Sequence, residues 1–148
     1  RVYQDIFSLT DEAEMGHIQL SRDADLLLVA PATADILARM AGGIANDLAT
    51  TALLATDKPV MVAPAMNVRM WEHAATKANC ALLAQRGVGF IGPVEGDMAG
   101  GEFGFGRMVD VPGIVDAVGR HFSGGPVSGR QALFWPMSMK PRNRPCRI

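Results

Sequence analysis

The stretch Asp25-Leu-Leu-Leu-Val-Ala-Pro-Ala-Thr-Ala-Asp35 decides the fold. Its first half is a continuous apolar run of strand length, with no polar residue at alternate positions. A strand that buries one face alternates; a strand that buries both does not, and such runs belong to parallel sheets covered by helices. Pro31 is expected to halt the strand, and Ala32-Thr-Ala-Asp35 to hand over to a helix. The pattern returns in Lys58-Pro-Val-Met-Val-Ala-Pro64, which ends on the same Ala-Pro pair. Between the two runs, Ala34 to Ala55 has helical composition, weakened at Gly42-Gly43. Upstream, residues 11–23 read as a helix with Asp11 and Glu14 at capping-box spacing. Downstream, Asn67 to Arg86 reads as helix in two pieces ending at Gly87. Val88 to Ile91 reads as a third strand, Gly92 to Gly106 as a glycine-rich loop, and Pro112 as the N1 residue of a helix through Phe122. The alternation predicts an α/β fold: an open parallel sheet with helices on both faces, its ligands bound at the carboxyl ends of the strands.

Composition narrows the function classes. The 148 residues fit one domain, and 49% hydrophobic against 20% charged residues are enough for a packed core. A net charge of −1 excludes a strongly basic nucleic-acid binder. No apolar run reaches the roughly 18–20 residues of a membrane-spanning helix, and Arg1 to Phe7 lacks a signal pattern. Two distant cysteines, Cys80 and Cys146, exclude a disulfide scaffold and a four-cysteine metal site, and make the cytoplasm the expected compartment. The charge is unevenly spread. Residues 1–128 carry nine Lys/Arg and fifteen Asp/Glu, a balance of −6; residues 129–148 carry five Lys/Arg and no acid. The expected division is therefore a domain over 1–124, followed by a linker and basic tail over 125–148.

Four segments are candidates for chemistry, each with an ordinary reading beside it. Small residues after the first strand, Ala30-Pro-Ala-Thr-Ala-Asp35, let a flat ligand reach the backbone, or form a plain strand-to-helix turn capped by Thr33. Asn67 in Ala63-Pro-Ala-Met-Asn-Val-Arg-Met-Trp71 has a donor and an acceptor suited to a carboxylate, walled by Met66, Met70 and Trp71, or is simply a helix N-cap. His17 is poised for proton transfer near neutral pH, or is structural. Gly96 to Met108 holds five glycines and reads as a flap over a site, or as a surface hairpin.

Taken together, His17-Ile-x-Leu20, Ala24-Asp-Leu-Leu-Leu-Val-Ala-Pro-Ala-Thr-Ala-Asp35, Pro64-Ala-Met-Asn-x-x-Met-Trp71 and Gly104-x-Gly-Arg-Met108 resemble the homo-oligomeric flavin-containing cysteine decarboxylases over roughly residues 1–128. Within that family the likeness is to the branch that decarboxylates 4′-phosphopantothenoylcysteine toward 4′-phosphopantetheine in coenzyme A synthesis. The resemblance implies a Rossmann-like flavoprotein fold, FMN as cofactor, a small-molecule substrate and a homotrimer or dodecamer, with no nucleic-acid or membrane partner and no metal. It implies His17 as the acid/base, Asn67 as the substrate-binding amide, and Met66, Met70, Gly100 and Arg107 beside the substrate. Thr33, Ala34, Asp35, Ile36 and Ala65 fall on FMN-contacting positions.

Three departures qualify these expectations. The family's flap reads Ala-Cys-Gly, its cysteine giving the proton for the final reduction; here Ala99-Gly100-Gly101 has no side chain to do so. The family's first strands and its phosphate-binding turn have no counterpart after Arg1, which implies a sheet with an apolar edge left open and an activity impaired accordingly. Pro136 to Ile148 matches nothing in the family pattern and reads as a foreign end. The alternative is a flavin-binding or regulatory subunit without turnover.

Overall fold

The computed structural model describes residues 22–123 and 132–135. Its elements run β1 (Leu26–Ala32), α1 (Ala34–Gly42), α2 (Leu48–Ala55), β2 (Val60–Pro64), α3 (Val68–Glu72), α4 (Ala74–Gln85), β3 (Gly89–Phe90), β4 (Val94–Asp97), β5 (Phe103–Arg107), α5 (Val111–Phe122) and β6 (Ala132–Trp135). Strands β3, β2, β1 and β6 lie side by side in that order, and every pairing is parallel.

The continuous apolar run follows from this placement. Leu28 and Ala30 of β1 turn to one face of the sheet, where they meet Ala63, Ile91 and Ile114 of α5. Val29 and Ala32 turn to the other, with Ile36, Leu37 and Ala41 of α1, Ala49 of α2 and Leu83 of α4. Val29 and Ala32 share a face although three residues apart because the β1–β2 register shifts between them. Pro31 lies in that interval and has no N–H to donate to the ladder. The expectation that Pro31 halts the strand is thus corrected: β1 passes through it, and Ala32 pairs with Pro64.

Other expectations resolve in similar detail. The Gly42-Gly43 weak point separates two helices. Gly43 closes α1 in the left-handed region at φ 67°, and Asp47 opens α2 through a reciprocal capping box with Thr50. The third strand is shorter than expected, although the Ile91 amide still donates to the Val62 carbonyl at 2.9 Å. The glycine-rich loop is a two-stranded antiparallel hairpin, β4–β5. Asp110 caps α5, so Pro112 is its second residue rather than its first. Of the helix expected over 11–23, only residues 22 and 23 are described, and both are helical. β6, read in the sequence as part of the tail, pairs along β1 from Leu26↔Ala132 to Val29↔Trp135, so the edge expected to stand open is covered there.

Leu37 is fully buried at the centre of the α1 face, whereas Leu54 of α2 is 60% exposed. Leu37→Ala is expected to lower unfolding stability by about 2–5 kcal/mol, and Leu54→Ala by no more than about 0.5 kcal/mol. Denaturant titration of both variants checks the contrast.

Candidate functional site

The carboxyl ends of β1 and β2 are joined just beyond the sheet. The Ala65 amide donates to the Ala32 carbonyl at 2.9 Å. From this junction Thr33 starts α1, its hydroxyl oxygen accepting the Ile36 amide at 3.4 Å. Asp35 is an exposed first-turn acid held by Arg39 at 2.9 Å. The same guanidinium donates to Asn46 Oδ1 at 2.7 Å and lies 3.4 Å from Asp47, which ties α1 to the loop before α2. Ile36 is 1% exposed and belongs to the core. Its side chain packs into the core, and its backbone amide is the one that Thr33 caps.

Ala32 is buried beneath this junction, and the half-buried Ala34 and Ala65 put only a ledge of methyl groups on the chain segments that leave it beside Thr33. A flat conjugated ring needs small side chains of this kind, with backbone polar groups near its rim. The residues of the ledge fit a flavin on these grounds.

The second wall is built from the exit of β2. Asn67 caps α3, its Oδ1 accepting the Arg69 amide at 2.8 Å. Its Nδ2 donates to Oε2 of Glu102, across from it on the hairpin. The other Glu102 oxygen lies 3.4 Å from Arg69 Nε. The hairpin is also docked through its backbone, the Met66 amide donating to the Gly106 carbonyl at 2.9 Å. This approach explains two glycines. A Cβ on Gly106 would run into the Met66 carbonyl oxygen, and one on Gly104 would meet Val68 Cγ1 at 3.1 Å; both have positive φ.

The remaining expected residues are dispersed. Met66 packs against the core, but Met70 is 48% exposed, and the half-buried Trp71 ring is covered by Lys77, whose Nζ lies 4.2 Å from its centroid. The three therefore do not close an apolar wall. Arg107 is exposed and runs across Gly96 of the facing strand. Gly100 sits at the hairpin tip, where an added Cβ would meet nothing within 4 Å. His17 lies outside the described residues. Cys80, half-buried on α4, has its thiol pKa pushed up by burial against the opposing pull of Lys77, which disfavours a reactive thiolate. A cavity of about 460 Å³ opens at the opposite, amino-terminal end of β2, between Leu53, Val60 and Arg86, away from all of these groups.

The structure thus brings Asn67 and Met66 together with the hairpin, and places the Thr33–Ala34–Ala65 ledge at the adjoining strand ends. Sequence reasoning missed Glu102 and Arg69. They are separated by 33 residues, so no spacing rule joins them; their opposite charges were the only signal.

Residues 1–123 match the protein family described as Flavoprotein. The coenzyme A biosynthesis bifunctional protein of Escherichia coli strain K12 is 48% identical over 134 residues, which cover 90% of this chain and 32% of that protein. Among solved structures, a PPC decarboxylase mutant complexed with pantothenoylaminoethenethiol aligns with TM-score 0.68 and 37% identity. The FMN binding protein AtHal3 aligns with TM-score 0.68 and 36% identity. Each alignment covers 74% of this chain and 60% of the other. The chain spans about a third of the length of the curated relatives it matches.

Gly106→Ala is expected to undock the hairpin and destabilise the protein by about 1–3 kcal/mol, while Gly100→Ala stays within about 0.5 kcal/mol of the parent. Thermal unfolding together with proteolysis of the hairpin distinguishes the two.

Proposed function

The chain belongs to the flavoprotein family, and from that premise we propose that it is the FMN-dependent decarboxylase portion of a coenzyme A biosynthesis protein, acting on 4′-phosphopantothenoylcysteine. One observation carries this reading: Asn67, at the exit of β2 and beside the alanine ledge, already holds a carboxylate on its amide nitrogen. An amide so placed suits the carboxylate of a cysteine residue that is to lose CO2. The name of the Escherichia coli relative, the ligand in the PPC decarboxylase structure and the FMN binding of AtHal3 support the same substrate and cofactor.

Thr33, Ala34, Asp35, the backbone of Ile36, and Ala65 would hold the flavin edge. When bound, the cofactor supplies a two-electron acceptor for oxidation of the substrate thiol. Asn67 Nδ2 orients the carboxylate, so the bond that breaks is held in one direction while CO2 leaves. His17 takes and returns the proton in this reading. The hairpin covers the pantetheine arm, with Met66, Met70 and Arg107 along it, and excludes water. Gly100 has no proton to give at the flap tip, so the product accumulates as the enethiol. The protein works in the cytoplasm as a homotrimer or a dodecamer, whose neighbouring copies complete the flavin site.

Gly100 also favours a second reading, a flavin-binding subunit without turnover. A yellow protein that releases no CO2 would establish it.

Purified protein supplied with FMN and 4′-phosphopantothenoylcysteine is expected to release CO2 and form the enethiol. Absence of both CO2 and any thiol or enethiol product refutes the decarboxylase reading. Asn67→Asp keeps a good helix cap but replaces the N–H donor by a repelling oxygen. It is expected to lower turnover by about 10–100-fold, the worth of one hydrogen bond to a charged group. Gly100→Cys enters open space at an ordinary φ and is expected to shift the product from enethiol to saturated thiol, read by mass spectrometry as a gain of two hydrogens.

A further inference from the structure

The Glu102 carboxylate sits where the proposed reaction requires a substrate carboxylate. Its two oxygens face Asn67 Nδ2 and Arg69 Nε, and 38% of its side chain is exposed. The hairpin tip aims it there: the Met98 amide donates to the Glu102 carbonyl at 2.8 Å, and the Gly101 amide to the Met98 carbonyl at 2.9 Å. Asn67 cannot turn to escape, because its Oδ1 is committed to the Arg69 amide. A ligand carboxylate arriving at Nδ2 would stand against that of Glu102, and two like charges at contact distance repel.

We propose that Glu102 is an internal occupant of the carboxylate subsite. It latches the β4–β5 hairpin to Asn67 and Arg69 in the free protein, and the ligand's carboxylate displaces it. The inference rests on the reading of Asn67 as the carboxylate holder. Its consequence is selective. A ligand that carries the carboxylate must break the latch to bind, while one that ends without it binds beneath a latch still closed. Glu102 therefore tunes affinity for substrate against decarboxylated product, although it takes no part in the bonds that change.

Two measurements on the 148-residue chain test it. In ligand-free protein, amide hydrogen exchange at Met66 and across residues 94–107 is expected to quicken about tenfold in Glu102→Ala, and by less in Glu102→Gln. Unchanged exchange in both variants overturns the latch. In calorimetric titration of FMN-supplied protein, the probes are 4′-phosphopantothenoylserine, whose hydroxyl replaces the oxidisable thiol, and 4′-phosphopantothenoylethanolamine, which lacks the carboxylate. Glu102→Gln is expected to bind the first about three- to tenfold more tightly and the second unchanged. An equal change for both probes, or weaker binding of the first, overturns the proposal. Wild-type protein that binds neither probe refutes the functional reading instead, and the exchange experiment then decides the latch by itself.

Discussion

Everything at the site hangs from one joint, the hydrogen bond from the Ala65 amide to the Ala32 carbonyl at the point where β1 and β2 leave the sheet. It holds two chain segments side by side after their ladder has ended. One then enters α1 through Thr33, and the other enters α3 through Asn67. The joint is possible because both strands are anchored on two faces. β1 packs Leu28 and Ala30 against the α5 side and Val29 and Ala32 against the α1 side, so it has no freedom to rotate. Small side chains at the joint, the buried Ala32 and the half-buried Ala65, accompany that closeness.

The hairpin is held in a different way. A parallel strand in the sheet is locked by burial, whereas the hairpin meets the body through a few polar contacts and two glycines. The Arg69–Glu102 pair is an exposed ion pair, with Arg69 side-chain exposure of 88%, and contributes at most about 1 kcal/mol. The Met66–Gly106 backbone bond, the Asn67–Glu102 contact and the close approach of Gly104 to Val68 add to the attachment. The sheet is thus fixed by burial, and the hairpin beside it by contacts near the surface.

The core was more legible than the site. Leu26 to Val29 announced a doubly buried strand because burial on both faces leaves a direct mark on residue type. The capping of α1 by Thr33 and of α3 by Asn67 was equally readable, since a cap lies within three residues of what it caps. Legibility failed where partners are distant in the chain. That Pro31 lies inside β1 depends on a register shift against β2, and that residues 132–135 join β1 depends on pairing across more than a hundred positions. The partnership of Glu102 with Asn67 spans 35 residues and leaves no local pattern. Ile36 is a different case: the motif singled out its position, and the helical period buries its side chain beside Leu37.

The capping bond at Asn67 has one further consequence. A side-chain amide is nearly symmetrical in shape and ordinarily free to exchange its two ends, offering acceptor or donor as the visitor demands. Here the oxygen is consumed by the start of α3, so the nitrogen is the end turned to Glu102. The short helix thereby fixes which end of the amide meets the hairpin. A flipped amide would set its oxygen against the Glu102 carboxylate and its nitrogen against the Arg69 amide, two unfavourable pairs at once. The orientation of this amide is thus inherited from the start of a helix only five residues long.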